Sequence, residues 1–254
     1  MLKKEFSVDK LNVRIYDDRK SMGQAAADDA IAYLKELLAK QDEVWCIFAA
    51  APSQNDVLAA IVAAEGVDWT RVHAIHMDEY VNLAEDAPQG FGNFLRRAVF
   101  DHLPFAGVEY IGSMGDPQEK MDRYTAILNE HKIDIVFMGI GENGHIAFND
   151  PHVADFNDPL KIKMVDLDLK CRQQQVNDGC FARLEDVPTH ALTLTVPTLF
   201  SGGRLFCVVP APTKADAVRA TVEGPVSEVC PATVMRRHDN ATLYCDSDSA
   251  RYIL

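Results

Sequence analysis

Long hydrophobic runs are missing from this 254-residue chain. No apolar segment approaches the roughly 18 residues that crossing a bilayer takes, and the opening residues Met1-Leu2-Lys3-Lys4-Glu5-Phe6 lead into polar sequence, not into the core of a secretory leader. The expectation is a cytoplasmic protein with no membrane partner. Positive charge is scarce: 25 Lys plus Arg face 38 Asp plus Glu, a net of −13. With no basic run able to track a phosphate backbone, nucleic acid is excluded as an expected partner. Cysteine pairs are missing too. Cys46, Cys171, Cys180, Cys207, Cys230 and Cys245 are scattered without a Cys-x-x-Cys spacing, and they read as buried free thiols, not as disulfides or zinc ligands. There is no internal repeat, linker, low-complexity tract or metal constellation. Neither a metal nor a cofactor is expected, and assembly into a homo-oligomer is left open.

What the chain does have is alternation. Leu11 to Tyr16 reads as a strand, and Ser21 with Gln24 forms a capping-box signal ahead of Ala27, Ala30, Ile31, Leu34, Leu37 and Leu38 at helical spacing. Val44 to Ala51 is a continuous apolar run, with Ser53 placed to cap the helix of Val57, Leu58, Ile61 and Val62. Val72 to Met77 is the next strand, Gly92 to Leu103 a helix, and Asp116-Pro117 opens another helix. Ile133 to Met138, Lys161 to Leu167, Leu192 to Val196 and Arg204 to Val209 read as strands. Thr213 caps a helix through Val222, and Ala241 to Cys245 is expected at an edge. Residues 149–159, with two prolines, are the loosest piece. The length suits one domain, 1–254, and the alternation predicts a three-layer α/β fold, Rossmann-like, with an open, mainly parallel sheet flanked by helices. Ligands in such folds gather at strand C-termini.

Four loops then become candidates for one cleft: 51–55, 78–80, 139–150 and 210–214. Ser53, Gln54 and Asn55 offer donors beside the amides of a helix start, which also suits a plain helix cap. Lys214 sits in the first turn of an expected helix, where the macrodipole disfavours a cation by ~0.3 to 1 kcal/mol. A bound anion would reverse that penalty, whereas a solvated surface lysine would simply bear it. Asp78 directly follows a buried strand, so its carboxylate can stand partly desolvated at a cleft floor, with a pKa raised toward that of a general base. Glu79 should point to the opposite side; the plain alternative for both acids is a polar cap on the sheet edge. His145 follows the turn Gly139-Ile140-Gly141-Glu142-Asn143-Gly144 and can exchange protons near neutral pH. Glu142, Asn143 and Asp150 lie close enough in sequence to fix its tautomer. His76 reads as structural.

The spacing Gly139-x-Gly141-x-x-Gly144, with Asp166 about 20 residues on, also fits a dinucleotide fingerprint. That fingerprint needs a crossover helix after its third glycine, and Asn149-Asp150-Pro151 and Asp158-Pro159 leave no room for one. An NAD-dependent oxidoreductase is therefore a minor alternative.

The stretches His76-Met77-Asp78-Glu79-Tyr80-Val81-Asn82-Leu83, Gly139 to Pro151, and His190-Ala191-Leu192-Thr193 together resemble the glucosamine-6-phosphate deaminase family, within the wider group that includes 6-phosphogluconolactonase. The resemblance implies that an amino sugar 6-phosphate and water become a ketose 6-phosphate and ammonia. It implies that Asp78 moves a proton between carbons 2 and 1, that His145 opens the pyranose ring with Asn143 and Asp150 assisting, and that Lys214 holds the phosphate. Ser53, Gln54, Asn55, Glu79, Gly141, Glu142, Gly144, Arg172 and Lys214 are the candidate substrate-binding residues.

Three departures from the family pattern stand out. Many members have glutamate where this chain has Asp150, a side chain shorter by about 1.5 Å, so a water or a shifted loop is expected to complete the contact. The phosphate loop reads Ala51-Pro52-Ser53-Gln54-Asn55 and has lost its glycines. The family's arginine before a Phe-Phe pair has no clean counterpart in Lys170-Cys171-Arg172-Gln173-Gln174-Gln175.

Lactonase relatives share the glycine turn and histidine but continue differently from Ile146-Ala147-Phe148-Asn149-Asp150-Pro151, so lactone hydrolysis is the second reading. A non-catalytic sugar-phosphate sensor ranks third, because such proteins carry an appended helix-turn-helix and 254 residues leave little room for one. Lys161 and Lys163 lie near an effector site of regulated relatives, but no allosteric site is read from two strand lysines.

Overall fold

The apolar runs separate into two sets by strand parity, and that separation builds the layers. The computed structural model describes residues 1–254. Its strands are β1 (Leu2–Val8), β2 (Leu11–Tyr16), β3 (Val44–Phe48), β4 (Val72–His76), β5 (Asp78–Tyr80) and β6 (Gly107–Glu109). They continue with β7 (Ile135–Met138), β8 (Ile162–Asp166), β9 (His190–Leu194), β10 (Arg204–Val209) and β11 (Ala241–Asp246). The helices are α1 (Arg19–Leu38), α2 (Asn55–Val62), α3 (Phe91–Leu95), α4 (Pro117–Glu130), α5 (Leu169–Asn177), α6 (Val196–Phe200) and α7 (Ala215–Glu223). None is long and apolar enough to cross a membrane.

Eight strands form one sheet in the order β1-β2-β11-β10-β7-β3-β4-β6, parallel except for the β1–β2 hairpin. Along β3, Val44, Cys46 and Phe48 face a core shared with α1 and α2, while Trp45 and Ile47 face the other core. This is the two-residue period of a strand buried on both faces. On the α1 side, Phe48, Phe137, Phe206 and Tyr244 stack across four neighbouring strands with ring centroids 4.9, 5.7 and 6.4 Å apart. The strand order reverses between β3 and β7: the chain leaves β3 outward to β4 and β6, then returns through β7 to β10 and β11. Ligand crevices open at such a switch point.

Several local expectations are corrected. Asp18, not Ser21, caps α1, its carboxylate accepting from the Ser21 amide at 2.7 Å, so the helix begins earlier than the capping box implied. Neither Ser53 nor Thr213 caps a helix. Each lies in a tight turn (Pro52–Gln54 and Pro212–Lys214) that runs directly into α2 or α7 without a side-chain cap. Ala241 to Cys245 is interior, paired on both sides by β2 and β10, because the N-terminal hairpin covers the edge assigned to it. The helix expected over 92–103 is α3 followed by one wider turn, Arg96–Phe100. Strands β5, β9 and β8 form a second, antiparallel sheet, which a purely parallel reading did not contain.

Candidate active site

The second sheet positions the acid. After β4 the chain bends at Met77 and enters β5, so Asp78 stands where one sheet gives way to the other, opposite Thr193 of β9. His76 pins it there. The His76 Nε2 accepts from the Ile111 amide at 3.0 Å, which leaves the proton on Nδ1 to be donated to the Asp78 carbonyl at 2.9 Å. Burial pushes the His76 pKa down to about 4, so the ring is neutral. Asp78 itself is only 7% exposed. Burial first, and the neighbouring Glu79 carboxylate second, raise its pKa well above the usual carboxylate range.

Glu79 faces the other way, as the alternation of side chains along a strand requires. Its carboxylate accepts from the backbone amides of Tyr80 (3.0 Å), Phe91 (3.0 Å) and Gly92 (2.9 Å). It therefore anchors the start of α3, whose Phe91 forms a cleft wall.

The loop after β7 delivers the imidazole. Gly141 leaves room for the imidazole, because a Cβ there would run into the His145 ring. The His145 Nδ1 lies 2.7 Å from Asn143 Oδ1 and 2.9 Å from Asp150 Oδ1. Both partners are acceptors, so Nδ1 carries the proton and Nε2 presents a lone pair on the cleft side. Burial alone would raise the Asp150 pKa, but the hydrogen bonds from His145, the Asn143 amide and the Asp168 amide outweigh it and hold Asp150 below the ordinary range. Asp150 thus reaches His145 directly. The shorter side chain needs no bridging water, and the loop that carries it is held in place by the Phe148 amide, which donates to Thr193 Oγ1 (3.0 Å), and by Asn149 Nδ2, which donates to the Leu194 carbonyl (2.8 Å).

The third wall is cationic. Lys214 is 5% exposed, lines the cleft and forms no salt bridge or side-chain hydrogen bond. Burial lowers its pKa, with Asp178 and Glu142 opposing. Its turn is held by Ala211, at φ +84°, a conformation costly for alanine; the Ala211 amide donates to the Asp246 carboxylate at 3.1 Å. Beside Lys214 stand Ser53 and Gln54, the latter donating to the Val208 carbonyl at 3.1 Å.

Asp78, His145, Gly141, Ser53, Gln54 and Lys214 therefore line one cleft. Asn143 and Asp150 stand directly behind His145. Five other candidates are not brought to the cleft wall. Asn55 is exposed on α2, and Glu142 contributes its backbone amide to Gln174 (2.9 Å). Gly144 backs onto Cys230, with φ +85°. Arg172 turns away and donates to the carbonyls of Leu184 and Val187, both at 2.8 Å. Glu79 serves α3, as above. Missed from the sequence were Gln174 and Gln175, which α5 supplies to the cleft, and Asp168, which caps α5. The Asp168-x-x-Cys171 spacing signals that cap, but three consecutive glutamines gave the helix no apolar stripe to read. After Gly144 the chain runs through turns into residues 149–153, so the dinucleotide spacing lacks the helix it needs.

An open parallel sheet with a buried carboxylate, a tautomer-fixed imidazole and an unpaired cation converging at its switch point defines an α/β enzyme built for proton transfer on an anionic substrate. The comparisons narrow that class, since residues 17–244 match the model of the family described as glucosamine-6-phosphate isomerases/6-phosphogluconolactonase. The chain belongs to that family. Over 185 residues it is 38% identical to glucosamine-6-phosphate deaminases of Bacillus thuringiensis (strain Al Hakam) and Bacillus cereus (strain AH820), covering 72% of this chain and 68% of each relative. Among solved structures, a monomeric glucosamine-6-phosphate deaminase superposes with a TM-score of 0.86 at 24% identity, over 94% of this chain and 98% of the other. The 6-phosphogluconolactonase of Thermotoga maritima gives 0.77 at 15% identity, over 93% and 100%. At those identities the likeness establishes the fold.

Proposed function

We propose that this enzyme converts an amino sugar 6-phosphate, glucosamine 6-phosphate in the first instance, and water into fructose 6-phosphate and ammonia. His145 Nε2 takes the proton of the anomeric hydroxyl and returns it to the ring oxygen, breaking the ring C–O bond. The Asp78 carboxylate then moves a proton from carbon 2 to carbon 1, while an amine hydrogen ends on the carbon 1 oxygen. The resulting carbon 2 imine adds water and releases ammonia. Lys214, Ser53 and Gln54 hold the phosphate.

The observation that carries this reading is the convergence of Asp78, His145 and Lys214, from three separate strand ends, on one cleft. Lactone hydrolysis moves no proton between carbons and leaves a buried acid of raised pKa without a task. The small sheet shares its core with the large one, through Ile162, Leu192 and Leu194, which supports a single domain over 1–254. A phosphorylated metabolite as substrate, and six free cysteines, fit a cytoplasmic enzyme.

The test is ammonia release from a panel of hexosamine 6-phosphates beside hydrolysis of 6-phosphogluconolactone. Ammonia from the amino sugar supports the proposal. Rapid lactone hydrolysis with ammonia at the buffer rate replaces it with the lactonase reading.

A further inference from the structure

The mechanism uses His145 in one tautomer, and the group that selects it lies outside the cleft. Asn143 bonds His145 twice through Oδ1, from the backbone amide at 3.1 Å and from Nδ1 at 2.7 Å. That works only while the Asn143 amide keeps its oxygen toward the ring. Its nitrogen is held by two carboxylates: Nδ2 donates to Asp150 Oδ1 at 2.9 Å and to Asp168 Oδ2 at 3.1 Å. Reversing the amide would turn its oxygen on both carboxylates and present N–H donors to the His145 amide. Asp150 Oδ1 is shared between Asn143 and His145 Nδ1, and Asp168 supplies the second acceptor that holds the amide nitrogen.

Asp168 divides its carboxylate between two tasks. Oδ1 accepts the Cys171 amide at 2.6 Å and caps α5, while Oδ2 takes Asn143. The same residue's amide reaches Asp150 Oδ2 at 3.5 Å. The helix it caps is the one that brings Gln174 and Gln175 to the cleft, and Gln174 Oε1 accepts the Glu142 amide at 2.9 Å. The glycine-turn loop is therefore tied to α5 at both ends.

We infer that Asp168 is a positioning residue for the reaction: by holding the Asn143 amide it secures, together with the Asp150 carboxylate, His145 as the Nδ1–H tautomer, with Nε2 free to accept the first proton. The inference rests on the functional reading above for its kinetic consequence and on geometry alone for the tautomer.

Two variants separate positioning from capping, because asparagine and serine both cap helices well. Asp168→Asn places an amide nitrogen opposite that of Asn143, and Asp168→Ser removes the second oxygen. Both are expected to keep the wild-type Tm within a few degrees. Both should lower kcat on the order of tenfold, the weight of one charge-assisted hydrogen bond, with KM nearly unchanged. Nitrogen-15 NMR of the histidine rings supplies the readout that a helix cap would not move. The wild type should show His145 protonated at Nδ1 and unprotonated at Nε2, and the variants a mixture. Wild-type kcat and an unchanged nitrogen signature in both variants would overturn the inference, as would a wild-type ring protonated at Nε2. Should Asp168→Asn fail to fold, Asp168→Ser decides. A wild type that releases no ammonia defeats the functional reading, and the NMR arm then decides the inference on its own.

Discussion

At the scale of single residues, the site is assembled from groups that would be more stable elsewhere. Asp78 is held in a place that raises its pKa, so its proton is bound more tightly in the folded chain than in the unfolded one. Whatever stability it contributes is fully present below its unfolded pKa and is lost as pH rises through the folded pKa. Asp78→Asn should therefore raise Tm at neutral pH, lower deaminase activity by about 10²- to 10⁴-fold, and abolish the acid limb of the wild-type pH–rate profile, which should lie above the ordinary carboxylate range. Lys214 is the mirror case, a buried cation whose pKa is lowered. Lys214→Met should be more stable than the wild type without ligand and should lose the Tm gain that the wild type shows with inorganic phosphate. Its KM should rise about 10- to 100-fold with kcat little changed. Gly141→Ala would put a methyl into the His145 ring, so kcat should collapse while circular dichroism stays native. Asp78, His145 and Lys214 were legible because each follows an apolar run ending at a loop. Gln174 and Gln175 were not, because glutamine carries no such signal. Arg172, which only neighbours the family's arginine position, points to the Leu184 and Val187 carbonyls, and sequence does not reveal which way a helix turns a side chain.

At the scale of elements, the parallel strands could be read from unbroken apolar runs such as Val44 to Phe48 and Leu205 to Val209. The second sheet could not. Asp78 to Tyr80 is three residues long, and its pairing with His190–Leu194 spans more than a hundred positions, which no local pattern encodes. Likewise α5 lacks an amphipathic stripe and is fixed instead by its cap and by Gln174. Glu79 joins two elements through three backbone amides. In Glu79→Gln the new amide nitrogen must face a backbone donor, which should cost about 1 to 3 kcal/mol of stability. Thermal unfolding measures that loss, and because Phe91 shifts with α3, the KM for the sugar phosphate should rise as well.

At the scale of the whole molecule, a net charge of −13 surrounds a cleft whose cation is Lys214. A substrate that carries a phosphate approaches against that field, and salt screens it over roughly 10 Å at 0.1 M. The value of kcat/KM should consequently rise as ionic strength increases from low to physiological values; a fall would mean that the local potential at the cleft mouth is positive. The layers and the switch point between β3 and β7 turn a sequence of alternating strands and helices into one crevice where an acid, an imidazole and a cation meet. The measurement that tests this most directly follows deuterium placed on carbon 2 of glucosamine 6-phosphate by NMR. The wild type should strip the label from carbon 2, deliver part of it to carbon 1 of fructose 6-phosphate and release ammonia, while Asp78→Asn leaves the label in place. Retention of the carbon 2 label by the wild type, or its loss at the wild-type rate in Asp78→Asn, would rule out Asp78 as the group that moves this proton.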